Sequence, residues 1–241
     1  MDVRRSGWPL LAVASMLAAG CAQETTDFSA GVEPWEVPAQ APAEWPAMPT
    51  TPGTVALITG SRLGTGDAPS HSWAHGRVLL SAPVAEVWAA LQWRPGVLVA
   101  VYPDTPTVDC EPIDRPEPEY ELSYAVKEIP NGFGALGRAN WFRVDWRGAT
   151  TRDAARAVQA VNLKAQKVDG TTQIALMRES VVATPAPDGG TQLEIVRHIN
   201  APDESPTSAG EWIELWVAAL QGQLAGSPLL PEATCFPPVA P

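Results

Sequence analysis

Through most of residues 120–200 apolar side chains recur at every second position, and on either side of that stretch at every third or fourth. Tyr120, Leu122, Tyr124 and Val126 alternate with Glu121, Ser123, Ala125 and Lys127; Phe142, Val144 and Trp146 alternate with Trp141, Arg143 and Asp145. Period two marks a strand with one buried face. Further strands are expected near 157–168, ending at the turn pair Asp169-Gly170, and at 174–182 and 191–200, joined by the turn-rich 185–190. Such a sheet needs cover for its apolar side, and the flanking helical segments supply it. In the second, about 205–224, Trp212, Ile213, Trp216, Val217, Leu220 and Leu224 form one wide apolar face, with Ser205 placed as N-cap before Pro206. In the first, at 81–91, Val84, Val87, Trp88 and Leu91 form a stripe behind an expected Ser81 N-cap with Pro83 in the first turn. With a strand at 77–81, the order is strand, helix, several antiparallel strands, closing helix. The expected class is α+β.

The N-terminus restricts the compartment. Arg4 and Arg5 precede a short apolar run, Trp8 to Leu17, that closes on Ala18-Ala19-Gly20 and Cys21. A basic region, an apolar region and a small-residue end form a secretory signal, and the run is too short to span a bilayer. Small residues followed by Cys21 resemble a bacterial lipobox, although Ala18 stands where that pattern prefers Leu. The resemblance implies cleavage after residue 20 and acylation of Cys21, with palmitate-type chains. Ala22 after the cysteine implies the outer membrane, facing the periplasm.

The formal net charge is −11. An acidic chain repels phosphate backbones, so nucleic acid is excluded as a partner. It also has no polybasic pull toward anionic lipid, so membrane attachment must be covalent. Cys110 and Cys235 are the other two cysteines, and an oxidising compartment permits their pairing. Residues 21–70 read as a lipidated, Pro-rich tether. Trp35 and Trp45 within it are candidates for docking on the domain, and 55–58 is a candidate edge strand. The domain itself is expected at 71–226, followed by a Pro-rich tail at 227–241.

The element order, with Ala82, Pro83, Val87 and Trp88 directly after the first strand, is similar to the START-like (SRPBCC, helix-grip) superfamily. That resemblance implies a curved antiparallel sheet of about seven strands around the long C-terminal helix. It also implies an apolar internal cavity between the two, a default place for a ligand.

Gly132, Gly134 and Gly137 match G-x-G-x-x-G, but a strand follows where dinucleotide binding needs a helix, so no cofactor is expected. His71 and His75 lack a third ligand nearby in sequence; they read as solvated loop histidines, and no metal is expected. Arg178 and Arg197 interrupt apolar rows of neighbouring strands and are read as sharing one face. Two arginines so placed favour an anion between them. Glu179 and His198 then share the opposite face as an acid–base or surface pair. Arg143 and Asp145 share a side with Trp141, as a cavity patch or a surface ladder.

The favoured function is therefore binding of a hydrophobic or amphipathic, lipid-like small molecule. Arg178, Arg197, Trp212, Trp216, Tyr124 and Trp141 are the candidate ligand residues, and no catalytic residue is assigned. Two other readings stand beside it: a cyclase- or hydrolase-type enzyme using Glu179 and His198 or Asp145, and a structural lipoprotein of the cell envelope.

Overall fold

The computed structural model describes residues 23–65, 69–92, 107–112, 120–128, 141–202 and 204–227, with backbone alone at 107–112 and 128. Eight strands form one antiparallel sheet: β1 (Val55–Arg62), β2 (His71–Leu80), β3 (Thr107–Pro112), β4 (Leu122–Glu128), β5 (Phe142–Arg152), β6 (Val158–Gly170), β7 (Leu176–Pro185) and β8 (Thr191–Asn200). Their order across the sheet is β1-β2-β8-β7-β6-β5-β4-β3. Helix α1 (Val84–Leu91) follows β2, and α2 (Pro206–Leu224) is the last of the described elements. Helix α2 packs against β1, β2 and β8, while α1 packs against β6, β7 and α2. This is the expected helix-grip arrangement; the eighth strand is the apolar run at 55–58, extended to Arg62 on the sheet edge.

Alternation within each strand sorts side chains to two faces. One inner row reads Ala74, Arg197, Glu179, Ala165, Trp146, Tyr124 from β2 to β4. The next reads Gly76, Ile195, Val181, Leu163, Gly148, Leu122. With Val87, Trp88 and Leu91 of α1 and Trp212, Ile213, Trp216 and Leu220 of α2, this face forms the core. Gly76 lets α2 come close: a Cβ there would stand 2.9 Å from Ile213 Cγ2. Gly170, with φ +121°, turns the end of β6 where a Cβ would meet the Trp141 carbonyl at 2.3 Å.

Ser205 caps α2 as expected. Its side chain accepts from the Ser208 amide, and the Ser208 hydroxyl answers the Ser205 amide. The start of α1 differs. Pro83 holds the N-cap position in extended backbone with no side-chain cap. The corner before it is tied instead by the Thr191 hydroxyl, which donates to the Ala82 carbonyl at 2.7 Å.

Residues 23–50, read from composition as a spacer, run as a strap across the outer face of the sheet. Gln23 bridges to Thr171, and the amides of Glu24 and Thr26 donate to the carbonyls of Gly170 and Val168 at 2.8 and 2.7 Å. Ser29, Gly31 and Trp35 then donate backbone N–H groups to Gln166, the Tyr120 hydroxyl and Ser180. The cause lies in the face beneath. Arg147, Lys164 and Arg178 project outward there, and Phe28 and Trp35 of the strap lie over them. Trp35 takes Lys164 at 4.2 Å and Arg178 at 4.5 Å from its ring centre, and its indole N–H is shared by the carbonyls of Ala165 and Glu179. Trp45 is buried too, stacked on His75. No helix among the described residues is long and apolar enough to cross a membrane.

Candidate functional site

The pairing of Pro185 with Thr191 decides where the charged residues of β7 and β8 go. It sets Arg178 opposite His198 and Glu179 opposite Arg197. A register one residue away would exchange the two faces of either strand relative to the other. The expected shared face of Arg178 and Arg197 is therefore corrected: Arg197 points into the core and Arg178 lies outside under Trp35. Glu179 and His198 are likewise on opposite faces and form no acid–base pair.

Within the core, Arg197 and Glu179 form an ion pair, each 1% exposed. A second carboxylate, Glu204 just before α2, stands 3.7 Å from the guanidinium. The guanidinium lies 4.3 Å from the ring centre of Trp212, which stacks on Trp216 at 6.4 Å. Further along the same inner row Tyr124 stacks on Trp146 at 6.1 Å. The neighbours above and below the pair on β7 and β8 are Met177, Val181, Ile195 and Ile199, all buried. The sheet, the closing helix and its approach thus place one charged cluster inside an aromatic and aliphatic core. Four of the six expected ligand residues, Arg197, Trp212, Trp216 and Tyr124, meet on this inner side. Trp146 belongs with them; it alternates in step with Phe142 and Val144, and that was the available signal.

Trp141 and Arg178 do not join them. Trp141 precedes β5 beside Lys127, whose ammonium lies 4.5 Å from its ring centre. Arg143 and Asp145 are an outer ladder: Arg143 Nε donates to Asp145 at 2.8 Å and Arg147 stands 3.4 Å from the same carboxylate. Cys110 lies on β3, its backbone paired with Val126. Cys21, Cys235 and the Gly132–Gly137 motif lie outside the described residues.

A second cluster occupies the outer face, under the strap. His71 and His75 are on β2 rather than in a loop, and His198 of β8 stands across from Trp73 between them. These are all the histidines of the chain. His198 lies 5.1 Å from His71 and 5.9 Å from His75, ring centre to ring centre. Glu36 of the strap sets Oε2 2.9 Å from His75 Nε2 and 3.8 Å from His198 Nε2. The guanidinium of Arg62 on β1 grips the same carboxylate and that of Glu44. Burial alone would raise the Glu36 pKa, but His75 and Arg62 outweigh it and hold the carboxyl far below the usual range. Burial pushes His198 down to about 3, so its imidazole is neutral. Burial also lowers Arg178 and Lys164 on the outer face from their ordinary values.

Beside this cluster the ladder between β6 and β7 stops at Gln166 and Arg178. The strands part there around a cleft of about 370 Å³, lined by His71, Arg178, Lys167, Met177, Glu24 and Thr26 among others.

Fold and inner site together define a helix-grip domain with a charged cluster buried among aromatic rings. No protein-family model and no curated protein matches the chain. Among solved structures it is similar to the human StarD13 (DLC2) lipid transfer and protein localization domain, at 13% identity, covering 72% of this chain and 86% of that one, with a TM-score of 0.47. It is also similar to human StAR-related lipid transfer protein 5, at 12% identity, 70% and 82% coverage and TM-score 0.44. A third likeness is to the Zhui aromatase/cyclase of a Streptomyces species, at 15% identity, 75% and 94% coverage and TM-score 0.34.

Proposed function

We propose that the chain is a membrane-anchored lipoprotein whose helix-grip domain binds a hydrophobic or amphipathic, lipid-like small molecule between the sheet and α2. One observation carries the reading: the Arg197–Glu179 pair buried in an otherwise apolar face. A buried ion pair is a poor way to stabilise a core, since removing its charges from water offsets their attraction. A ligand-binding chamber gives it a use. The apolar body of the ligand lies against Trp212, Trp216 and Tyr124. Its polar head exchanges with Glu179 or Glu204 on the Arg197 guanidinium, whose planar fork suits a carboxylate or phosphate.

The anchor in this reading is Cys21, acylated after removal of residues 1–20, on the periplasmic face of the outer membrane. The acidic charge of the chain supports a covalent anchor over an electrostatic one. Metabolic labelling with an alkyne-bearing palmitate tests it: the chain takes up label and Cys21→Ser does not. Label on the serine variant, or none on the parent, rejects the anchor. The binding reading is tested by thermal shift against fatty acids, sterols and aromatic carboxylic acids. At least one class raises the melting temperature of the parent chain and fails to do so for Arg197→Met; a flat response across the panel rejects it.

A further inference from the structure

We infer that Glu36, His75 and His198 form a binding site for a divalent transition-metal ion, with zinc as its representative, which fastens the strap to β2 and β8. His75 Nδ1 lies 3.0 Å from the Glu44 carbonyl, which only accepts, so Nδ1 carries a proton. Its Nε2 faces into the cluster. There it meets Glu36 Oε2 at 2.9 Å, in a contact without the alignment of a hydrogen bond. His75 is fully buried and His198 is 5% exposed, and the Nε2 atoms of both have no hydrogen-bond partner among the described residues. Buried polar atoms left without a hydrogen bond are unfavourable unless a further group satisfies them.

The spacing suits a metal. Glu36, His75 and His198 each offer a ligand atom, and these atoms lie within 4.8 Å of one another. Tetrahedral zinc with bonds of roughly 2.0–2.1 Å sets its ligands about 3.3 Å apart, between the 2.9 and 3.8 Å that separate Glu36 Oε2 from the two imidazoles. The surrounding groups match the second layer typical of such sites. The Glu44 carbonyl orients His75, and Arg62 orients the Glu36 carboxylate. His71 completes the setting. Its Nδ1 is 3.2 Å from the Pro69 carbonyl, its Nε2 is buried without a partner among the described residues, and its ring lies beside His198. His71 also lines the cleft beside the cluster. Two imidazoles and one carboxylate leave a further coordination position for water or His71. This site lies on the opposite face of the sheet from the proposed ligand chamber and does not depend on it.

The test uses the full chain, purified in detergent without a polyhistidine tag and stripped with a chelator. Zinc titration followed by calorimetry is expected to saturate at one ion per chain and to raise the melting temperature. Glu36→Gln and His198→Asn are each expected to weaken binding at least about tenfold. Cobalt in place of zinc reports the ligands in the unmutated chain: visible bands of a nitrogen- and oxygen-ligated ion, without the near-ultraviolet charge transfer of a thiolate. Cys110→Ser with Cys235→Ser leaves binding unchanged. Absence of saturable binding overturns the inference. So does a thiolate signature, loss of binding with the two cysteines, or full affinity in both Glu36→Gln and His198→Asn.

Discussion

Glu179 stands directly opposite Arg197 across the β7–β8 ladder, and the two form an ion pair inside the apolar core. Removing one partner strands the other charge away from water. Arg197→Met or Glu179→Leu alone is expected to cost about 3–5 kcal/mol, whereas the double replacement costs clearly less than the sum. Urea denaturation of the three variants measures this. Additive losses would show that the two charges are held by other partners instead.

That register also marks how far the sequence could be read. Period-two and helical spacing located the strands other than β3 (Thr107–Pro112), both helices and the Ser205 cap, because these depend on neighbours in the chain. The face of each charge on β7 and β8 depends on how 186–190 closes the hairpin, and a shift of one residue inverts it. His71 and His75 looked isolated because their partners come from far away: His198 through the β2–β8 ladder and Glu36 through the strap. The strap itself was hidden by its proline-rich composition. Trp35 and Trp45 were the available signal, since a free spacer has no use for large rings that must be kept from water.

Trp45 is 6% exposed and stacks on His75 at 4.6 Å between ring centres. Trp45→Ala is expected to destabilise the protein by about 3 kcal/mol and to open 36–50 to proteases before the sheet unfolds. Mass mapping of early proteolytic fragments checks this. Cleavage in the strap and the sheet at equal rates would contradict it.

The start of the strap is held through Asp169. Burial opposes the charge of this carboxylate. Hydrogen bonds from Gln23, the Gly170 amide and Thr25, with the charge of Arg143, outweigh burial and lower its pKa from the ordinary value. Lys167 also acts on it electrostatically. A lowered folded-state pKa means stability that is present above the unfolded value and lost as pH falls through the folded one. Hydrogen exchange at residues 23–26 is therefore expected to speed up, beyond the intrinsic pH effect, on acidification to below the ordinary Asp pKa of about 4. Asp169→Asn exchanges fast throughout and loses this dependence.

Gly76 is the point where β2 meets α2. Gly76→Ala presses a methyl group onto Ile213 and is expected to cost about 1–3 kcal/mol. In the Ile213→Ala background the same change costs less, because the obstructing Cγ2 is gone. Equal costs in both backgrounds would place the strain elsewhere.

We propose that the aromatic side of the sheet around Arg197, Trp212 and Tyr124 holds a lipid-like molecule. Mass spectrometry of solvent extracts from the chain purified out of the cell envelope tests it most directly, with the Arg197→Met chain purified alongside. One recurrent class of hydrophobic or amphipathic compound is expected, near one molecule per chain in the parent and depleted in the variant. A parent extract free of any such compound, or the same compound at the same level in both, would contradict it.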